Sequence, residues 1–362
     1  MIDFEKGIVS RGSWAAIQKC MLRAAAGYPI TVGFLGGSIT QGSLATKPEN
    51  CYAARVFRWW QETFPLSEMT FVNAGIGGTT SQFGAARVEE DLLKYKPDFV
   101  LTEFSVNDEN TPHFQETYEG LIRRILHSGT ALMLMNNVCY DTGHSAEEVH
   151  LEIARHYSLP SVSMKSTLYA ALQRGEMANR DITPDDLHPN DRGHELVAKV
   201  ICHLLESVRR APWEEPLPAE LPAPLTPNRY EGSRRYQNHS ANPVCRGFAA
   251  DETPQDYITE MFRHGWTAWE KGSTMEFAVE GSCIAVQYRK SVTQPTPIAK
   301  ITVDGGHELL LDGNFRETWG DCLYLDTVAE DLEDTLHTVT IEITEAHPDD
   351  AVPFYLVSVI GS

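Results

Sequence analysis

The chain has 362 residues, of which 42% are apolar and 22% are charged. This composition is that of an ordinary folded protein, and it excludes a wholly disordered, collagenous or coiled-coil chain. The formal net charge of -20 repels phosphate backbones and anionic membrane surfaces, so neither a nucleic acid nor a membrane is expected as a partner.

Short β-branched or apolar runs alternate with helix-period segments over the first 208 residues. The predicted strands are Ile30–Leu35, Thr70–Asn73, Asp98–Phe104, Ala131–Asn136 and Pro160–Met164. The predicted helices are Ser81–Tyr95, Pro112–His127, Ser145–Tyr157 and a final amphipathic helix that begins at Asp191. Strands that alternate with helices in this way predict an α/β fold, in which helices cover both faces of a parallel sheet.

A proline-rich segment interrupts this pattern after Arg210. Six prolines lie between Pro212 and Pro227, and such a segment forms neither a helix nor a central strand. We therefore predict a first domain over residues 1–210, an extended, semi-rigid linker over 211–228 and a second domain over 229–362.

The second domain is predicted to consist of strands. They are Thr274–Glu280, Cys283–Arg289, Ile298–Val303, Glu308–Leu311, Cys322–Asp326, His337–Ile343 and Phe354–Ile360. The sequence Asp304-Gly305-Gly306 separates two of these strands and is typical of a hairpin turn. Because no long helix-period segment lies among the strands, the pattern favours a β-sandwich or a jelly roll.

The cysteines and the N-terminal residues bear on the cellular compartment. The seven cysteines lie far apart, include no Cys-x-x-Cys pair and are odd in number. This pattern fits neither a disulfide framework nor a zinc site, and it is typical of a reducing compartment. The first residues lack the basic and apolar regions of a signal peptide, and no apolar run approaches the length of a membrane helix. We therefore expect a cytoplasmic protein.

Three of the predicted strands end in residues that suit acyl-transfer chemistry. The first strand runs into the sequence Gly-Gly-Ser, whose glycines allow a sharp turn that presents the hydroxyl of Ser38. The second runs into a glycine-rich stretch that contains Gly77 and Gly78, whose backbone N–H groups can bind an oxyanion. The third leads to Asn107, which offers a neutral amide donor. Because the carboxyl ends of parallel strands share one edge of the sheet, these groups are predicted to converge.

A fourth segment precedes the last predicted helix and carries an acid and a base. His188 lies three residues after Asp185, so a turn can direct the carboxylate to Nδ1 of the imidazole while Nε2 faces the sheet edge. Asp186 is the alternative partner of the imidazole. Taken alone, each of the four segments is also explained by a turn or a helix cap. Together on one sheet edge, however, they supply the groups that an acyl-transfer site needs.

The order and spacing of these segments resemble the four sequence blocks of the SGNH/GDSL hydrolase superfamily. The resemblance implies a flavodoxin-like parallel sheet and a serine hydrolase that needs no metal and no cofactor. It implies that Ser38 is the nucleophile and that Asp185 and His188 are its acid–base pair. The oxyanion would then be bound by the N–H groups of Ser38 and Gly78 and by the side chain of Asn107.

The resemblance covers about residues 28–208, and two positions depart from the family pattern. The first block reads GGSIT rather than GDSL, a variant that resembles carbohydrate-active and uncharacterised branches of the superfamily. The third block has Ser105 where the family usually has glycine, so a slightly different backbone is expected there. Neither departure removes a catalytic group.

The substrate class is inferred from the second domain. Superfamily members with an added β-sandwich resemble carbohydrate esterases that remove acetyl groups from xylan or mannan, which implies an acetylated oligosaccharide as the substrate. Trp266, Trp269 and Trp319 are the candidate sugar contacts, although core packing is the commoner role of such residues. Two alternatives stay open: a lipid, thioester or aryl esterase whose second domain forms a homodimer, and a carbohydrate-binding protein with an inactive hydrolase domain. A Ca²⁺ ion in the second domain is also left open.

Overall fold

The structure is a computed structural model that describes residues 2–218, 220–317 and 319–362. The chain divides between Asn228 and Arg229 into two compact units. Over the described residues, no helix combines the length and the apolar character needed to cross a membrane.

The first unit alternates strands and helices. Its strands are β1 (Ile8–Ser10), β2 (Ile30–Gly36), β3 (Met69–Gly75), β4 (Phe99–Glu103), β5 (Ala131–Asn136) and β6 (Ser161–Ser163). Its helices are α1 (Ala15–Ala25), α2 (Ser38–Gln41), α3 (Tyr52–Thr63), α4 (Ser81–Asp91), α5 (Pro112–His127), α6 (Glu147–His156), α7 (Ala170–Gln173) and α8 (Asp191–Arg210). Each strand and helix predicted for the first domain is present. The observed ends of most of these elements differ from the predicted ends by a few residues.

The strands of the first unit form one sheet in the order β1-β6-β5-β4-β2-β3. Strands β2 to β6 are parallel and follow the flavodoxin-like order, which confirms the predicted fold. Strand β1 adds an antiparallel edge next to β6. The strand order reverses between β2 and β4, and ligands bind in the crevice at such a switch point. Ser38 follows β2 and Asn107 follows β4, so both residues lie at this crevice.

Both faces of the parallel sheet are buried. Alternate residues of its strands, such as Phe34 and Met133, pack with α1, α3 and α8 in one hydrophobic core. The residues between them, such as Leu35 and Leu132, are buried as well. Continuous burial of this kind is expected of a parallel sheet with helices on both sides, and it explains why the strands read as unbroken apolar runs.

The proline-rich segment 211–228 lies with the first unit. The Glu214 carboxylate accepts a hydrogen bond from the backbone N–H of Trp14 at 2.8 Å. The buried Glu119 carboxylate accepts another from the backbone N–H of Thr226 at 2.7 Å. The described residues of the segment form no helix and no strand, as its prolines predict, and these hydrogen bonds through Glu214 and Thr226 hold it against the rest of the first unit.

The second unit consists of two antiparallel sheets. Its strands are β7 (Arg234–Tyr236), β8 (Val244–Arg246), β9 (Ala249–Ala250), β10 (Trp266–Ala268), β11 (Thr274–Gly281), β12 (Ile284–Lys290), β13 (Ile298–Val303), β14 (His307–Asp312), β15 (Cys322–Ala329), β16 (Thr335–Glu345) and β17 (Phe354–Gly361). One sheet has the order β15-β12-β17-β10-β9, with β7 paired to β17, and the other has the order β14-β13-β16-β11-β8. The predicted hairpin at Asp304-Gly305-Gly306 joins β13 to β14. These sheets confirm the predicted β-rich architecture.

Trp266, one of the three candidate sugar contacts, lies in the core of the second unit. Trp266 of β10 packs edge-on against Phe277 of β11, with ring centroids 5.3 Å apart. The Trp266 side chain is only 3% exposed, so its ring has no free face for a sugar. Trp266, predicted as a candidate sugar contact, is therefore a core residue that joins the two sheets.

Candidate active site

The turn before Ser38 is shaped by close backbone packing. Ser38 is the first residue of the short helix α2. A Cβ at Gly36 would lie 2.5 Å from the carbonyl oxygen of Glu103, and a Cβ at Gly75 would lie 2.2 Å from the backbone nitrogen of Gln41. Glycine is therefore required at both positions, and α2 lies directly on the ends of β2 and β3. The first N–H groups of a helix, that of Ser38 included, have no acceptor within the helix.

Ser38, His188 and Asp185 form one hydrogen-bonded chain. Nε2 of His188 lies 2.8 Å from Oγ of Ser38, and Nδ1 of His188 lies 2.6 Å from Oδ2 of Asp185. Burial opposes ionisation of Asp185, but hydrogen bonds from the His188 ring and from the N–H groups of Leu187 and His188 outweigh it and lower the pKa of the carboxyl. With Nδ1–H on the carboxylate, Nε2 presents its lone pair to the serine hydroxyl, as a general base requires.

Asp186 does not contact the imidazole. Its carboxylate forms a bidentate ion pair with Arg180 at 2.7 and 2.8 Å, and it also accepts a hydrogen bond from the side chain of Asn179. The backbone at Asp186 is left-handed, with a φ of 68°. Of the two neighbouring carboxylates, only Asp185 is therefore placed to orient His188.

Asn107 borders the nucleophile turn. Its Nδ2 donates a hydrogen bond to the carbonyl oxygen of Thr79 at 2.9 Å. A side-chain amide has two N–H groups, so the second one remains for a ligand. A Cβ at Gly37, the residue before Ser38, would lie 3.3 Å from this Nδ2. The amide is thus close to the serine and fixed in orientation by the loop that follows β3.

The geometry distinguishes the two glycines of that loop. The N–H of Gly77 donates to Oε1 of Gln41 at 2.8 Å and is therefore occupied. The N–H of Gly78 has no hydrogen-bond acceptor among the described residues. The backbone of Gly78 is in the left-handed region, with a φ of 69°. Gly78 is exposed, whereas Gly77 is half-buried beside Ser38. The free N–H supports Gly78, the glycine that the family resemblance implies, as an oxyanion donor.

Asn107→Ala is expected to lower kcat for an aryl acetate by roughly 10² to 10³, or about 2.7 to 4 kcal/mol, because it removes one oxyanion donor. The protein should stay folded, since the substitution removes a half-buried side chain that has one hydrogen bond to the backbone. The measurement is kcat with para-nitrophenyl acetate, together with the thermal unfolding temperature. Asn110→Ala is the matched control, because Nδ2 of Asn110 also donates to a backbone carbonyl, that of Ser145, at 2.9 Å. Asn110 is not among the residues assigned to the oxyanion site. An unchanged kcat in Asn107→Ala would contradict the assignment.

Ser105, at the position where the family usually has glycine, connects β4 to β5. Its Oγ donates to Oε1 of Glu103 at 3.0 Å and accepts from the backbone N–H of Asn137 at 2.7 Å. Glu103 is fully buried, and its burial raises the pKa of the carboxyl to about 7, although the hydrogen bonds from Ser105 favour the charged form. The serine hydroxyl therefore supports a buried carboxyl that a glycine would leave without this partner.

Two further titratable side chains near the site have structural roles. His194 accepts from the N–H of Tyr52 at 3.3 Å through Nδ1 and donates to the carbonyl of Ser43 at 3.2 Å through Nε2. Burial lowers the pKa of His194 to about 4, so the ring is neutral and both nitrogens are occupied. Arg87 is buried and donates to the carbonyl of Gly36 at 3.1 Å, which fixes the turn before the nucleophile. The sequence predicts neither of these contacts, because each one joins two segments that are distant in the chain.

The remaining candidate residues lie in the second unit. Trp269 is 50% exposed and Trp319 is 67% exposed, and Trp319 packs edge-on against Phe315 with ring centroids 5.1 Å apart. Both tryptophans therefore present ring surface to solvent, in contrast to Trp266. Across the part of the chain that the structure describes, no group of three or more His, Cys, Asp and Glu side chains is arranged to hold a metal ion.

Comparison with known proteins places these residues in a family. Residues 34–196 match the model of the GDSL-like Lipase/Acylhydrolase family. No curated protein sequence matches the chain. Two crystal structures of a two-domain esterase active on acetylated mannans, one of them co-crystallised with mannopentaose, are 55% identical to this chain. They cover 100% of this chain and 98% and 99% of their own, with TM-scores of 0.96 and 0.97. Since the identity extends over the whole length and the family model matches the segment that contains Ser38, Asn107 and His188, the chain belongs to the GDSL-like lipase/acylhydrolase family.

Proposed function

We propose that the protein is a serine esterase that removes O-acetyl groups from mannan-derived oligosaccharides. The observation that carries this proposal is the identity of 55% over the full length with an esterase active on acetylated mannans. The likeness includes the β-rich second unit as well as the unit that contains the hydrogen-bonded serine, histidine and aspartate.

In the proposed acylation step, Nε2 of His188 takes the proton of Ser38 while Oγ attacks the acetyl carbonyl carbon. Negative charge then develops on the carbonyl oxygen, where the N–H groups of Ser38 and Gly78 and the amide of Asn107 bind it. Asp185 stabilises the imidazolium that forms. The imidazolium returns its proton to the departing sugar oxygen, so the sugar leaves as an alcohol and the acetyl group stays on Ser38.

In the deacylation step, a water molecule takes the place of the sugar. Nε2 of His188 accepts a proton from this water as its oxygen attacks the acetyl carbon, and the same donors bind the second oxyanion. The proton then passes to Oγ of Ser38 as the bond between Oγ and the acetyl carbon breaks. Acetate is released, and Ser38 regains its hydroxyl.

For the second unit, we propose that Trp269 and Trp319 contact sugar rings. An exposed indole ring offers an apolar face with a polar N–H at its edge, and this combination suits the apolar faces and hydroxyls of a pyranose. Neither ring is buried in the core, whereas the ring of Trp266 is. Substitution of either residue by alanine should then raise KM for oligosaccharides and leave KM for a small aryl acetate unchanged.

The test of this function is acetyl release from defined substrates. The protein is incubated with acetylated manno-oligosaccharides, with acetylated xylo-oligosaccharides and with para-nitrophenyl palmitate, and the loss of acetyl units or the release of nitrophenol is measured. We expect the fastest release from the manno-oligosaccharides and none in the Ser38→Ala variant. Faster hydrolysis of the palmitate would favour a lipid esterase, and faster release from the xylo-oligosaccharides would favour a xylan-type substrate. A wild-type protein that hydrolyses none of them would favour a carbohydrate-binding protein.

A further inference from the structure

We infer that Gln41 is a positioning residue that holds the Gly78 N–H in place for the oxyanion, an inference that rests on the proposed esterase function. Oε1 of Gln41 accepts a hydrogen bond from the N–H of Gly77 at 2.8 Å. Gln41 lies three residues after Ser38 and is the last residue of α2. Its side chain thus connects the helix that begins with the nucleophile to the loop that supplies an oxyanion donor.

The backbone of Gln41 has a fixed position relative to β3. A Cβ at Gly75 would lie 2.2 Å from the Gln41 nitrogen and 2.6 Å from its Cα, so the two backbones are in direct contact. Nδ2 of Asn73 donates to the carbonyl oxygen of Thr40 at 2.9 Å, and Gly42, with a φ of 104°, caps the C-terminal end of α2. The side chain of Gln41 therefore starts from a rigid base directly beside the loop.

The loop itself needs a constraint at Gly77. Two successive glycines have the widest choice of backbone conformations of any dipeptide, and ordering them has a large entropic cost. On the far side, Oγ1 of Thr79 donates to the carbonyl of Ile76 at 2.7 Å, and Asn107 donates to the carbonyl of Thr79 at 2.9 Å. Among the described residues, Gln41 alone accepts from the N–H of Gly77, and thereby fixes the peptide that precedes Gly78.

The orientation of the Gln41 amide follows from this contact. Only the carbonyl oxygen of a glutamine amide can accept a hydrogen bond, so Oε1 must face Gly77. In this arrangement Gln41 contacts none of the reacting atoms. It keeps the Gly77 N–H occupied and leaves the Gly78 N–H as the donor for the oxyanion. Because Ser38 and Gln41 share one short helix, the nucleophile and the oxyanion donor keep a constant separation.

The test is the isosteric variant Gln41→Met, which removes the acceptor and keeps the length of the side chain. Without the hydrogen bond, Gly78 remains present but mobile, so we expect kcat and kcat/KM for para-nitrophenyl acetate to fall together by about tenfold, less than for loss of a donor. KM should stay unchanged. The affinity for phenylboronic acid, which forms a tetrahedral adduct with the serine, should fall by the same factor.

Two control variants accompany this test. Lys47→Met, a change of another exposed side chain to methionine in the loop after α2, should leave all these values unchanged. Gln41→Asn, whose amide is one methylene too short to reach Gly77, should reproduce the loss and serves if Gln41→Met is unstable on thermal unfolding. An unchanged kcat with unchanged boronate affinity would overturn the inference, and so would a higher KM at constant kcat, which would make Gln41 a substrate contact. Failure of the oligosaccharide assay alone would contradict the proposed substrate, because the aryl acetate and the boronate still report on the oxyanion site.

Discussion

Ser38→Ala is expected to abolish hydrolysis of aryl acetates and acetylated oligosaccharides. The substitution removes the hydroxyl that lies 2.8 Å from Nε2 of His188, and without it no acyl-enzyme can form. Loss of the nucleophile in serine hydrolases lowers kcat by roughly 10⁶, and we expect a decrease of this size. The change should not unfold the protein, because it deletes one oxygen from a half-buried side chain.

The measurement for Ser38→Ala is kcat with para-nitrophenyl acetate, alongside the thermal unfolding temperature. Ser43→Ala is the matched control, because it removes the same group from a serine that lies five residues later and outside the hydrogen-bonded chain. The control should retain wild-type activity. If Ser38→Ala hydrolysed the ester as fast as the wild type, then Ser38 would not be the nucleophile.

Parts of the fold follow directly from the sequence. The helix-period pattern predicts helix α5 with its observed ends. The structure supports both the pattern and its start, since Thr111 accepts a hydrogen bond from the N–H of Phe114 and Pro112 occupies the first turn. Strand β5 was also predicted with its observed ends, since all its residues are buried and read as one apolar run. For these two elements, a helix-period pattern and an unbroken apolar run are sufficient to predict the type of element and its ends.

Other elements have no local signal. Strand β1 and the strands β7 to β10 have two or three residues each, too few for an alternating pattern to be recognised. They form because distant strands offer a pairing edge, as β17 does for both β7 and β10. Helix α3 was not predicted either, although its length is ordinary. It is buried along Tyr52, Val56 and Trp60, and its aromatic residues are weaker helix formers than leucine or alanine.

The site was predictable in its residue types but not in their supporting contacts. The motifs predicted Ser38, Asn107 and His188 by order and spacing, since each follows or precedes an element whose position the fold determines. The residues alone leave both Asp185 and Asp186 as partners of the imidazole, because the two are adjacent and chemically identical, and only the family resemblance favours Asp185. The left-handed backbone at Asp186 and its ion pair with Arg180 decide between them, and both depend on tertiary packing.

Asp185→Asn is expected to lower kcat by roughly 10⁴, because it imposes the wrong tautomer on the imidazole. Oδ1 of Asp185 accepts hydrogen bonds from the N–H groups of Leu187 and His188 at 3.1 and 2.7 Å. Since an NH₂ group cannot accept these bonds, the asparagine oxygen must take this position, and its Nδ2 then faces Nδ1 of His188. Nδ1 becomes an acceptor and the ring proton moves to Nε2. An Nε2–H that faces Ser38 cannot take the hydroxyl proton.

Asp186→Asn is the matched control for this prediction. Asparagine tolerates the left-handed conformation at position 186, and the ion pair with Arg180 that it weakens lies near the surface, so kcat should stay close to that of the wild type. The two variants are compared by kcat for para-nitrophenyl acetate and by thermal unfolding, which should show both proteins folded because the backbone acceptors are kept. A larger loss in Asp186→Asn than in Asp185→Asn would mean that the imidazole takes its orientation from the other carboxylate during catalysis.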